Sequence, residues 1–284
     1  MLAVLLACVS ASLFGAMTVA LRFALRRSPN AELGTLVTVT VALGIGLFAT
    51  AVDAAAGHAL ALRPLWPFFL AGVLAPGVSQ IFFTFAVREA GPSRSSIVVG
   101  SAPLVSVAIA LVALREPPRA PLLVGAALIV AGGIALVQER DRPEHVRLAG
   151  LAFAFTTMVL FSTRDNLIRW LASDTSARPA AAAAATMLMG ALVALPFGVR
   201  RGISVRATAP FVAAGLCYGL SYVSLYEAYY RGRVTVVSPL VATESLWGVG
   251  LSILLLRRSE LVGPRLLFGA GLVVAGGALI GAFR

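Results

Sequence analysis

The chain has 284 residues, of which 59% are apolar and only 12% charged, and its mean hydropathy is +0.93. Soluble domains run near half apolar and about a quarter charged, so this composition excludes an ordinary soluble enzyme, a disordered chain and a nucleic-acid module. The net charge of +11 comes entirely from arginine on the basic side. These arginines sit singly or in pairs between apolar runs, as loop anchors do, and form no basic face for nucleic acid.

A membrane-spanning helix needs about 20 apolar residues, and the chain offers ten such segments in order. They run over 2–22, 33–53, 65–87, 94–114, 119–138, 147–171, 179–198, 207–230, 233–256 and 262–282. None alternates polar and apolar residues as an outer-membrane strand does. In lipid the backbone must satisfy its own hydrogen bonds, so each segment is predicted to be a helix. The first lacks a basic leader and is read as a span, not a cleaved signal. Short breaker-rich connections separate the segments, such as Arg26-Arg27-Ser28-Pro29-Asn30, Glu89-Ala90-Gly91-Pro92-Ser93-Arg94 and Arg115-Glu116-Pro117-Pro118-Arg119. The longest polar stretch surrounds 139–146, where a linker between two halves belongs. The expected organisation is therefore a repeat over 1–138, a linker over 139–146 and a second repeat over 147–284. Cys8 and Cys217 lie inside apolar segments and His58 and His145 in loops, so neither a disulfide framework nor a metal site is expected.

The two halves share matches in the same order. Gly125-Ala126-Ala127-Leu128-Ile129-Val130-Ala131-Gly132-Gly133 pairs with Gly269-Ala270-Gly271-Leu272-Val273-Val274-Ala275-Gly276-Gly277, with Glu116 and Glu260 equally spaced before them. Leu13-Phe14-Gly15 with Arg22 echoes Leu160-Phe161-Ser162 with Arg169, and Gly77-Val78-Ser79 with Ala86 echoes Gly219-Leu220-Ser221 with Ala228. Gly132-Gly133 and Gly276-Gly277 are expected points of close helix approach. Five spans per half would make the second half enter from the opposite side. The predicted fold is thus an all-α integral membrane protein of ten transmembrane helices in two inverted five-helix repeats, with a site at the repeat interface.

The motifs Ala102-Pro103-Leu104, Arg115-Glu116-Pro117 and Ala131-Gly132-Gly133 in the first half, with Glu244-Ser245-Leu246, Ser259-Glu260 and Ala275-Gly276-Gly277 in the second, resemble those of the EamA-type, ten-helix transporters of the drug/metabolite superfamily. One departure is Ser245 where that family often has proline. Pro239 lies six residues earlier, so a break in the ninth span is expected to be displaced. The resemblance implies export of aromatic or neutral amino acids or related small metabolites, with both termini in the cytoplasm of a plasma-membrane protein. The arginine count points the other way: fourteen fall in the loops opposite the termini and eight on the terminal side, which favours termini outside.

Polar residues within spans are functional candidates by default. On the third span Gln80 and Thr84 share a face and suit a cavity lining. On the sixth, Arg164 is expected at a depth where it can pair with Glu227 of the eighth, as a structural bridge or a gate. Asp165 is expected to point about 100° away from Arg164 and to pair with Arg169 one turn on. The eighth span carries Tyr218, Tyr222, Tyr226 and Tyr229 in a loose stripe; Tyr218 and Tyr222 are the deeper pair, and Tyr229 and Tyr230 suit an interface belt. On the ninth, Glu244 falls near mid-membrane, a candidate for carrying a coupling proton or recognising a substrate ammonium. Trp247 would join the aromatic wall. The binding set expected is therefore Gln80, Thr84, Tyr218, Tyr222, Glu244 and Trp247, with Arg164, Asp165 and Glu227 as gate or coupling residues. The partners expected are a small-molecule substrate, protons and the bilayer. No cofactor is expected, and the absence of HExxH, GxSxG and P-loop patterns argues against an enzyme. A multidrug or nucleotide-sugar carrier, or a non-transporting receptor or assembly component, are the alternatives.

Overall fold

A computed structural model of the chain describes residues 2–113, 148–173, 175–201, 204–232, 234–256 and 264–282, with scattered positions between 120 and 132. Arg115, Glu116, Pro117, Gly133, Ser259, Glu260 and the 139–146 linker lie outside the described residues. In chain order the helices are α1 (Leu2–Arg27), α2 (Ala31–Ala55), α3 (Trp66–Gly72), α4 (Ser79–Ala90), α5 (Pro92–Val99), α6 (Ala102–Ala113), α7 (Leu148–Ser173), α8 (Pro179–Gly198), α9 (Val212–Arg231), α10 (Val234–Val241), α11 (Glu244–Leu256) and α12 (Pro264–Ala282). Among the described residues there is no strand. Leu2–Arg27, Ala31–Ala55, Arg63–Ala90, Pro179–Gly198 and Val205–Arg231 are each long and apolar enough to cross a membrane.

Local chemistry sets the helix ends. Asn30 caps α2 by accepting a bond from the Leu33 amide at 3.0 Å. Gly91, at φ +85°, turns the chain between α4 and α5, and Pro92 opens the latter, where a missing N–H costs nothing. Three of the apolar segments are interrupted. The Arg63–Ala90 segment breaks over 73–78, where Ala75 is extended (φ −148°, ψ 120°), the conformation that a following proline, here Pro76, imposes. The fourth segment breaks at Gly100-Ser101, ahead of Pro103, and the ninth at Ala242-Thr243. The ninth break stands in the same register before Ser245 as the fourth does before Pro103, so it is not displaced toward Pro239 as the sequence suggested.

Helix packing follows a regular exchange. α1 lies along α9 and α11, while α7 lies along α4, α5 and α6. α2 packs on α8, and α5 on α11. The contacts of α1 with α9 and α11 thus have mates in those of α7 with α4, α5 and α6, the parts interchanged. Small residues permit these approaches. A side chain added at Gly72 would lie 2.4 Å from the Thr186 carbonyl oxygen, and one at Gly15 2.6 Å from Trp247 Cβ. Gly132 is likewise a close point: its added Cβ would sit 2.7 Å from the Gly269 oxygen.

Candidate functional site

Two of the three helix breaks converge on one cavity. Val99 and Ala102 flank the fourth-segment break, and Val241, Ala242 and Glu244 the ninth; all five line the same space. The remaining wall comes from Ser10 and Phe14 of α1, Phe161, Arg164 and Asp165 of α7, Ser221, Tyr222 and Leu225 of α9, and Ser238 of α10. The cavity has a volume of about 20 Å³, room for little more than one water. The second halves of both broken segments begin here, α6 at Ala102 and α11 at Glu244. Their starts carry the positive end of the helix dipole, although the Leu104, Ser245 and Leu246 amides already bond the carbonyls of Ser101, Ala242 and Thr243.

Arg164 and Asp165 form a buried ion pair. Arg164 donates from Nε at 2.9 Å and Nη2 at 2.7 Å to a single oxygen, Oδ1 of Asp165. Its guanidinium carbon sits 4.4 Å from the Phe161 ring centre and 5.4 Å from that of Tyr222, so two aromatic faces hold the cation. Each member of the pair is only 4% exposed. Glu244 is 5% exposed and makes no hydrogen bond or ion pair among the described residues. The Arg164 and Asp165 charges face it.

The α9 stripe is buried throughout. Tyr218 and Tyr222 ring centres are 5.4 Å apart and those of Tyr222 and Tyr226 5.2 Å. The Tyr222 hydroxyl donates to the Ala75 carbonyl at 3.0 Å, an acceptor that the extended conformation at 75 leaves without a helical donor. The Tyr226 hydroxyl donates to Thr186 Oγ1 at 3.2 Å, and Thr186 donates on to the Ala183 carbonyl at 2.8 Å. Tyr229 is fully buried beside Asp165 and Ser238, which corrects its expected place in an interface belt.

Several expected positions differ. Arg164 does not pair with Glu227. Glu227 bonds Arg231 one turn on, because it lies about 140° round the helix from Tyr222 and faces away from the cavity. Asp165 does not pair with Arg169, and it does share the cavity with Arg164: the long arginine side chain folds back onto its neighbour. Arg169 Nη1 instead donates to the Tyr229 carbonyl at 3.2 Å. Trp247 does not line the cavity. It is 48% exposed, because α1 presses Gly15 against its Cβ and leaves the indole only the outer side. Gln80 and Thr84 are fully buried but off the cavity. Thr84 donates to the Gln80 carbonyl at 2.8 Å, and the Gln80 amide has no partner among the described residues. Tyr218 stands behind the wall, its ring 6.2 Å from Phe14. Tyr222, Glu244, Arg164 and Asp165 are brought together. Ser10, Phe14, Phe161 and Ser238 complete the site unforeseen. Phe14 and Phe161 were visible as repeat mates, and their rings meet edge to face at 5.7 Å.

A helical, multi-pass membrane protein with a charged, aromatic-walled cavity at paired helix breaks has the build of a small-molecule carrier. The EamA-like transporter family model matches residues 1–138 and 148–282, and the chain belongs to that family. No curated protein matches it. A solved crystal structure of a protein at 19% identity superposes with a TM-score of 0.72, over 98% of this chain and 95% of its own. That likeness speaks for the fold alone.

Proposed function

We propose that the chain is a secondary-active exporter of neutral amino acids, aromatic ones included, or of closely related small metabolites. It works by alternating access between two inverted five-helix repeats, with ten spans in all and a boundary over 139–146. The interchange of helix contacts between the parts of the chain supports this architecture, since a pseudo-two-fold relation generates such mates. The family membership supports transport over catalysis. We place both termini in the cytoplasm, in the plasma membrane.

The observation that carries the reading is the charge set on one cavity wall: Arg164, Asp165 and Glu244 between two helix breaks. A zwitterion fits it. Its carboxylate would take the remaining Arg164 donor and lie at the positive dipole ends where α6 and α11 begin. Its ammonium would face Glu244, and a flat side chain would lie among Phe14, Phe161 and Tyr222. Glu244 is free of protein partners among the described residues, so it can exchange a proton with substrate or solvent as the coupling group. The cavity is too small for an amino acid in this state, so loading requires the halves to part.

Flux into proteoliposomes tests the proposal with labelled neutral amino acids, nucleosides and cationic dyes as the panel. Saturable amino-acid flux above empty vesicles, dependent on a proton gradient, is expected. Flux of dyes alone would identify a drug carrier, and no flux of any compound would reject transport.

A further inference from the structure

Two serines are joined across the cavity while their repeat mates are not. Ser10 Oγ lies 3.1 Å from Ser221 Oγ, and Ser221 donates to the Ser10 carbonyl at 2.8 Å. The alignment of Leu13-Phe14-Gly15 with Leu160-Phe161-Ser162 places Ser10 on Thr157. That of Gly77-Val78-Ser79 with Gly219-Leu220-Ser221 places Ser221 on Ser79. Thr157 and Ser79 are both fully buried. Thr157 spends its hydroxyl on its own helix, donating to the Phe153 carbonyl at 2.9 Å. Ser79 Oγ has no partner among the described residues. Yet α4 lies along α7 just as α1 lies along α9, so the same interface occurs twice and is bonded once.

The interfaces lie toward opposite faces. Ser10 sits in the first half of α1 and Ser221 at the middle of α9, whose end meets the start of α1 where Gly232 packs on Ala3. Thr157 sits in the first half of α7, whose Gly150 packs against Glu89 and Ala90 at the end of α4. A second asymmetry accompanies the first. The segment holding Ser79 is broken at Ala75, whereas α9 runs unbroken from Val212 to Arg231.

We infer that the serine bond is a latch that changes sides. In this state Ser10 and Ser221 close the interface toward the face from which α1 enters. In the opposite state that bond opens and Ser79 and Thr157 make its counterpart, as the two halves exchange conformations. This inference rests on the transporter reading, because only inverted halves can trade conformations in this way. By the symmetry of the halves the exchange swaps this set of hydroxyl bonds, Ser10 with Ser221 and Thr157 with its own helix, for the mirror set, so hydrogen bonding favours neither state. A lone latch would trap the protein; a matched pair leaves it free to cycle.

The test is the side from which the cavity can be reached. Ser238→Cys, on the cavity wall, serves as reporter in a Cys8→Ala, Cys217→Ala background. Its reaction with a membrane-impermeant maleimide is followed in sealed vesicles of each orientation. Ser10→Ala with Ser221→Ala is expected to raise labelling from the α1-entry face about fivefold, the population shift that one net hydrogen bond supplies. Ser79→Ala with Thr157→Val is expected to raise it from the other face by a similar factor. Labelling from both faces that ignores these hydroxyls, or shifts the same way in both variants, overturns the latch and leaves transport standing. Labelling from one face only in every variant overturns both.

Discussion

Arg22 and Arg169 perform the same task at corresponding places in the chain. Arg22 Nη1 donates to the Arg88 carbonyl at 2.9 Å and more weakly to that of Val87 at 3.4 Å, at the end of α4. Arg169 Nη1 donates to the Tyr229 carbonyl at 3.2 Å, near the end of α9. Val87 and Tyr229 each follow the repeat alanines Ala86 and Ala228 by one residue. Both cations therefore cap the last turn of a helix, where orphan carbonyls and the negative dipole end attract them. Arg22 is thus a helix-end cap, not a free loop charge. Counting it as a loop anchor overstates the positive charge on that side, which weakens the arginine argument for external termini.

Replacing Glu244 with glutamine keeps the size and removes the ionisable group. Proton-driven flux is expected to fall at least about tenfold, the scale on which one general acid–base group acts at its low end, and residual flux is expected to lose its pH dependence. The variant should remain monodisperse and helical, since no described residue depends on that carboxylate. Unaltered flux across pH would remove Glu244 from the mechanism.

The Arg164–Asp165 pair calls for a double-mutant cycle. Arg164→Met or Asp165→Asn alone breaks a buried pair and is expected to cost about 3–5 kcal/mol of stability. The combined variant should recover much of that loss while remaining inactive. Thermal denaturation of the four proteins in detergent provides the readout, and strictly additive losses would show that the two residues are uncoupled.

Glu227→Gln is expected to transport normally and to lose less than about 1 kcal/mol, because its partner Arg231 is a half-exposed neighbour on the same helix. A flux defect like that of Arg164→Met would restore Glu227 to the gate.

Tyr222→Phe deletes the hydroxyl that bonds Ala75 and leaves the ring over Arg164. The expected cost is about 1–3 kcal/mol, since the carbonyl loses its donor in a buried place. Measured substrate affinity should change less than melting temperature. The opposite ranking would assign the hydroxyl to the ligand.

Gly72→Val should be far more damaging than its chemistry suggests, because the added Cβ would meet the Thr186 backbone at 2.4–2.9 Å. Overpacking of this kind costs about 1–3 kcal/mol or more. Yield and melting temperature after extraction are the measurements, and wild-type values for both would mean that α3 and α8 separate readily.

Five of the apolar segments were legible as spans, because lipid imposes length and hydropathy on each. A break in the ninth segment was expected, but its place at Ala242-Thr243 was not, and the matching break at Gly100-Ser101 went unread because Pro103 was taken only as part of a motif. Glu244 stood out as a lone carboxyl at mid-segment. The partnership of Arg164 did not stand out, because a long side chain can fold back onto its neighbour and erase the angle that helix geometry assigns. Trp247 was misplaced for a different reason. It lies three residues from Glu244 and would share its face on an ideal helix, but the absent side chain of Gly15 lets α1 occupy the inner position. Gln80 and Thr84 share a face as expected, and that face turns into packing because the segment is broken just before them at Ala75. Such outcomes depend on contacts between distant segments, to which local periodicity is blind.

The narrowness of the cavity also bears on the membrane that surrounds it. A continuous file of water through the protein would let protons flow down their gradient and discharge the voltage across the bilayer. Among the described residues, the space between Arg164, Glu244 and Tyr222 holds about one molecule, too little for such a file to run through this cavity. In the transport cycle proposed above, this closed state would insulate the bilayer until the halves part to admit a substrate.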